Sequence, residues 1–165
     1  VDLGAKGAIR VYLSDSRTEV SPFAHVLSEW LHQKGILTSQ YGLGRAGDLQ
    51  VPGRLDQLRS VITKELRSSQ VYVVLLNERT LDSEYVQYEL QQADLWKIPV
   101  VPIFREGADR ARILNRPMLG ALIGRYEPVQ VQDRSGRFLE PSLQQILRQV
   151  QASVTSTTAP QTASR

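Results

Sequence analysis

Six consecutive apolar residues, Val71-Tyr72-Val73-Val74-Leu75-Leu76, constrain this chain more than any other stretch. Four of them are β-branched or aromatic, which predicts a strand buried on both faces, as in a parallel sheet covered by helices. A polar turn follows, Asn77-Glu78-Arg79-Thr80, and Asp82 or Ser83 can then cap a helix carrying Tyr85, Val86, Glu89, Leu90 and Ala93. Tyr85 and Glu89 are four apart and share a helical face, beside the apolar stripe of Val86, Leu90 and Ala93.

The same strand–helix alternation runs through the chain. Residues 1–8 read as a Gly/Ala-rich leader into a first strand, Ile9–Leu13, with a polar loop from Ser14 to Glu19. Ser21 caps a helix with Pro22 at its first position, Phe23, Val26, Leu27, Trp30 and Leu31 recur at helical spacing, and Gly35 ends it. Ile36–Tyr41 is a shorter second strand. The segment after it, Gly42-Leu43-Gly44-Arg45-Ala46-Gly47, has G-x-G-x-x-G spacing but follows the second strand and does not open into a helix. It is therefore read as part of a long mobile loop, Gly42–Gly53, and not as a dinucleotide fingerprint.

Leu55, Leu58, Ile62 and Leu66 mark the second helix, and Ile98–Phe104 a fourth strand in which Pro102 calls for an outward-facing or bulged position. Arg105 to Arg125 contains five arginines, read as a solvated face, and a short helix around Arg110–Leu114. Tyr126–Val131 is a weak last strand, Asp133–Gly136 a turn, and Pro141 the start of a final helix reaching Val154. Thr155–Arg165 has no apolar period and is expected to be a disordered tail or linker.

Five such alternations predict an α/β, flavodoxin-like three-layer fold: a five-stranded parallel sheet of order 2-1-3-4-5 with helices on both faces. Its switch point lies between the first and third strands, and ligands bind outside their carboxyl ends. Ser14 and Asp15 are thereby set across a crevice from Tyr85 and Glu89.

At 165 residues the chain can bury a core without staples, and it has none to offer, since it contains no cysteine. Thiolate nucleophiles, disulfides and Cys-based zinc sites are excluded. The two histidines, His25 and His32, stand seven apart, too far to share a metal. A net charge of +3 without a basic tail argues against nucleic acid, and no apolar run approaches the roughly 20 residues of a membrane span. A cytoplasmic protein with neither nucleic-acid nor membrane partners is the expectation.

The run Ser83-Glu84-Tyr85-Val86-Gln87-Tyr88-Glu89-Leu90, after a strand ending Leu-Leu-Asn, resembles the Ser-x-Trp-Cys-x-x-Glu-Leu signature of Toll/interleukin-1 receptor (TIR) domains. Tyr85 stands where Trp is usual and Val86 where Cys is common. The Pro-Val-x-Pro-Ile run of the fourth strand is also usual in that family, and the resemblance in element order covers Ile9–Val154, leaving the leader and tail outside a TIR-like domain. In the family's NAD+-cleaving branch the final Glu of the signature is catalytic, which implies Glu89 here. The resemblance also implies that the Gly42–Gly53 loop, with Arg45, gates the cleft and mediates self-association or contacts with other TIR domains. Such assembly belongs to immune or cell-death signalling.

One carboxylate is enough for that reaction. An ordinary sugar leaving group must be protonated, so glycosidases use a carboxylate pair. Nicotinamide leaves NAD⁺ neutral, and what remains is to stabilise positive charge on the ribose. The resemblance implies that role for Glu89, with Tyr85 expected to stack on nicotinamide or ribose, and Ser14, Asp15, Ser83 and Arg45 expected to contact the rest of the substrate. NAD⁺ is then a substrate, and no cofactor or metal is required. The expected enzyme is an NAD⁺ glycohydrolase or ADP-ribosyl cyclase. Two alternatives stand beside it: a non-catalytic TIR interaction module, and a nucleoside deoxyribosyltransferase-like enzyme, which also uses a helix-borne Glu.

Overall fold

The alternation dictates the architecture in the computed structural model, which describes residues 8–15, 22–39, 55–134 and 137–158. Strands β1 (Arg10–Ser14), β2 (Leu37–Ser39), β3 (Val71–Leu76), β4 (Val100–Phe104) and β5 (Val129–Gln130) form one sheet of order β2-β1-β3-β4-β5. Every pairing in it is parallel, with Tyr12 opposite Tyr72 and Val74 opposite Pro102. Helices α1 (Pro22–Gln33), α2 (Leu55–Arg67), α3 (Glu84–Leu95), α4 (Arg110–Leu114), α5 (Leu119–Gly124) and α6 (Glu140–Thr158) cover it. The fold is the flavodoxin-like α/β arrangement expected from the sequence.

Strand alternation sorts the core into two layers. Val11, Leu13, Val71, Val73 and Leu75 pack with Leu27 and Leu31 of α1 and Ile146 and Val150 of α6. Tyr12, Tyr72, Val74 and Leu76 pack on the other face with Ile62 and Leu66 of α2 and Val86, Leu90 and Ala93 of α3. All six residues of β3 are buried, and each buried aliphatic side chain contributes about 1.5–3 kcal/mol. Tyr12 and Tyr72 stand among these aliphatic side chains, and apolar packing does not require their hydroxyls.

Several local expectations hold and others shift. Gly35, at φ 83°, ends α1, with Ile36 N–H donating to the Leu31 carbonyl at 3.0 Å. Pro102 is neither bulged nor outward-facing: it is buried in continuous register with β3. Tyr72 N–H bonds the Pro99 carbonyl and Arg105 N–H the Leu76 carbonyl, so odd positions of this strand bond β3 and even ones face β5. The position of Pro102 lacks only a bond toward β5, and pairing with β5 starts one residue later at Ile103.

The arginines after β4 are engaged rather than simply solvated. Arg105 lies over the Phe23 ring at 3.7 Å, Arg110 over Phe104 at 4.9 Å, and Arg125 bonds Asp94 at 2.7 Å. The segment expected to turn at Asp133–Gly136 carries a small antiparallel pair, β6 (Asp133–Arg134) with β7 (Arg137–Phe138).

Helix α6 begins at Glu140, one residue before Pro141, and runs to Thr158. Thr155–Thr158, expected in the tail, therefore continue the helix. The Ser153 and Thr155 hydroxyls donate to the Gln149 and Gln151 carbonyls at 2.8 and 3.0 Å, and Val154 packs half-buried on the core. The rest of that tail, 159–165, lies outside the described residues, as do the leader residues 1–7, Ser21, and Tyr41 with the Gly42–Gly53 loop.

Gly120 marks a close approach between the two short helices. A Cβ there would fall 2.1 Å from the Leu114 carbonyl oxygen, whereas at Gly124 it would meet nothing within 4 Å. Gly120→Ala should cost about 1–3 kcal/mol and lower Tm by several degrees, because backbone cannot yield as a side-chain tip can. Gly124→Ala, at a helical position with open space, should instead raise Tm by about 1–4 °C. Thermal melts of the two variants side by side measure the difference.

Candidate functional site

The connection from β3 to α3 is held by side chains. The Thr80 hydroxyl donates to the Leu75 carbonyl at 3.2 Å and accepts from Asn77 N–H at 2.8 Å, closing the turn on the strand end. Arg116 reaches across from the α4–α5 segment, bonding the Asp82 carboxylate at 2.5 Å and the Leu81 carbonyl at 3.1 Å. Ser83, and not Asp82, is the N-cap of α3, its hydroxyl accepting from Val86 N–H at 3.4 Å. These contacts fix the start of α3, and its buried residues Val86, Leu90 and Ala93 face the core layer.

Glu89 is 2% exposed and lies within the buried stripe of Tyr85, Val86, Leu90 and Ala93, not beside it. Its carboxylate is met by hydroxyls from two strands. Oε1 accepts from Ser14 Oγ at 2.5 Å and from the Tyr72 hydroxyl at 3.2 Å. Oε2 accepts from the Tyr12 hydroxyl at 2.6 Å. The two shortest distances fall in the range of about 2.5–2.7 Å typical of a hydroxyl donating to a carboxylate.

The geometry follows from β alternation. Tyr12 and Ser14 are two apart on β1 and face α3 together, while Tyr72 sits beside Tyr12 in register on β3. The tyrosine rings lie 5.8 Å apart at a tilt of 52°. The carboxylate thus sits over the adjacent strands β1 and β3, at the point where the strand order reverses.

Of the residues singled out from sequence, Glu89 and Ser14 are brought into contact, and Asp15 is buried at the end of β1. Ser14 donates its proton to Glu89 rather than standing open to a ligand. Ser83 is engaged as the helix cap. Tyr85, 6% exposed, is packed into the core layer with α2. Arg45 lies outside the described residues.

Tyr12 and Tyr72 were not anticipated. The signal was available, since a tyrosine inside a fully buried aliphatic strand needs a partner for its hydroxyl. Two of them on neighbouring strands call for a shared acceptor.

The surroundings are otherwise quiet. Among the described residues no group of three His, Cys, Asp or Glu side chains could hold a metal, and no helix is long and apolar enough to cross a membrane. His25 and His32 are exposed, His25 lying 3.5 Å from Glu29. Two open surface grooves lie away from Glu89. One, of about 580 Å³, is bordered by Arg10, His32 and Thr38, and the other, of about 630 Å³, by Arg59, Arg67 and Tyr88.

No family model matches the sequence, and no curated protein does. Among solved structures, the chain is similar to the TIR domains of the activated Roq1 resistosome directly recognizing the pathogen effector XopQ. The TM-score is 0.49 at 18% identity, covering 92% of this chain and 85% of that one. The strand order and pairing of the chain itself, not this likeness, define its fold.

Proposed function

We propose that the chain is a TIR-type NAD⁺ nucleosidase in which ionised Glu89 stabilises the positive charge that builds on the ribose as nicotinamide departs. The observation that carries this reading is the buried carboxylate, held by three hydroxyls at the strand-order switch point. The N-glycosidic bond breaks with its electron pair leaving on the nicotinamide nitrogen, which becomes neutral. Water then adds to the ribose carbon and loses a proton, giving ADP-ribose, or a nucleophile within the same molecule closes a cyclic product. No general acid is needed, so a single carboxylate suffices.

Preorganisation is what such a site supplies. Opposite unit charges 4 Å apart interact by about 4 kcal/mol at an effective dielectric constant of 20. A carboxylate already fixed in place delivers this without reorganising during the reaction. Self-association, as in TIR signalling assemblies, completes the proposed setting. A non-catalytic interaction module is the second reading, favoured by the burial of Tyr85 in the core.

Glu89→Gln tests the proposal. An amide nitrogen cannot accept from a hydroxyl, so the swap leaves a buried O–H unsatisfied and should cost about 1–3 kcal/mol. The variant should nevertheless fold, with Tm lower by several degrees. Below that temperature, nicotinamide release from NAD⁺ should fall about 10²–10³-fold. Glu84→Gln, exposed on the same helix, should match wild type in both Tm and turnover. Glu89→Gln turning over NAD⁺ at the wild-type rate, or a wild type that releases no nicotinamide at any protein concentration, would give the interaction module the lead.

A further inference from the structure

We propose that Tyr12 and Tyr72 are positioning residues that fix the plane and location of the Glu89 carboxylate through their hydroxyls. This rests on the reading of Glu89 as the charge-bearing group. Both rings are fully buried in an otherwise apolar layer, where phenylalanine would fill the same space. A phenol hydroxyl costs free energy in such a layer unless it is bonded. Here both hydroxyls converge on one side chain from opposed positions of adjacent strands.

The division between the two oxygens gives the hydroxyls a geometric role. Tyr12 holds Oε2 at 2.6 Å, while Tyr72 and Ser14 hold Oε1 at 3.2 and 2.5 Å. Restraining both oxygens fixes rotation about the last side-chain bond, which a single contact would leave free. A glutamate has three side-chain torsions to restrain, and an electrostatic catalyst loses effect when its charge wanders. If the layer needed only packing, apolar side chains of similar volume would serve at least as well as a buried polar cluster. Ser14 secures one oxygen from the strand end, and the tyrosines bracket the carboxylate from the middle of the sheet.

The test uses the full chain with Tyr12→Phe, Tyr72→Phe and the double variant, which keep both rings and hence the packing. The first readout needs no turnover. In protein labelled with ¹³C at the glutamate carboxyl carbon, the Glu89 signal is identified by its loss in Glu89→Gln. It should move in each Phe variant, and further in the double. The second readout is steady-state nicotinamide release. Tyr12→Phe should lower kcat about tenfold, Tyr72→Phe less because its contact is longer, and the double variant most, with KM within about twofold throughout.

A Glu89 signal unmoved in the double variant overturns the positioning role. So does an unchanged kcat in the double variant. Loss expressed in KM alone also overturns it, because positioning a charge that acts in the transition state appears in kcat. A wild type without turnover defeats the proposed reaction instead, and the carboxyl signal then decides the positioning role by itself.

Discussion

A carboxylate inside an apolar layer is tolerated only if its oxygens are met by donors, and that requirement organises the central part of this molecule. Glu89 projects from the face of α3 that packs on the sheet, among Val86, Leu90 and Ala93. Three hydroxyls meet it there, two from β1 and one from β3. Removing the acceptor would leave several buried hydroxyls unsatisfied, at about 1–3 kcal/mol for each. The carboxylate and its donors are therefore a single unit, and α3, β1 and β3 must keep their relative placement for it to exist.

The fold provides that placement by simple means. Parallel pairing sets Tyr12 beside Tyr72, and the two-residue period of β1 puts Ser14 on the same face as Tyr12. The start of α3 is held by the Ser83 cap and by the side-chain bonds of the preceding turn, with Arg116 tying that turn to the α4–α5 segment, and Val86, Leu90 and Ala93 pack its face on the core. Farther along, the Tyr88 hydroxyl lies 2.6 Å from the Thr63 hydroxyl, linking α3 to α2. Each element is anchored on two sides, so the carboxylate is held by the framework as well as by its direct partners.

The architecture was legible in the sequence because it rests on strong, local signals. The apolar run Val71–Leu76, the helical stripes and Gly35 each specify one element, and alternation of the elements specifies the parallel sheet. Glu89 was found through its place in an eight-residue signature, but its burial was not. Spacing alone puts it beside the apolar stripe, and only the packing of α3 against the sheet, with hydroxyls of β1 and β3 as partners, brings it inside. Tyr12 and Tyr72 carry the signal of hydroxyls that need an acceptor inside buried strands, but not the identity of that acceptor. Their significance depends on strand register, which no single stretch encodes. The end of α6 shows the converse: the polar composition from Thr155 onward reads as tail, yet the helix continues to Thr158 and the Thr155 hydroxyl bonds back to the Gln151 carbonyl.

In the proposed reaction Glu89 carries a charge that matters most when the ribose is cationic. The most direct measurement compares the affinity of wild type and Glu89→Gln for a ribose mimic with a protonated ring nitrogen, alongside its uncharged counterpart. A site complementary to the transition state should bind the cationic mimic about 10²–10³-fold more weakly once the charge is removed. The uncharged mimic should bind both proteins alike. Equal affinity of the cationic mimic for wild type and Glu89→Gln would overturn the proposed role of the Glu89 charge.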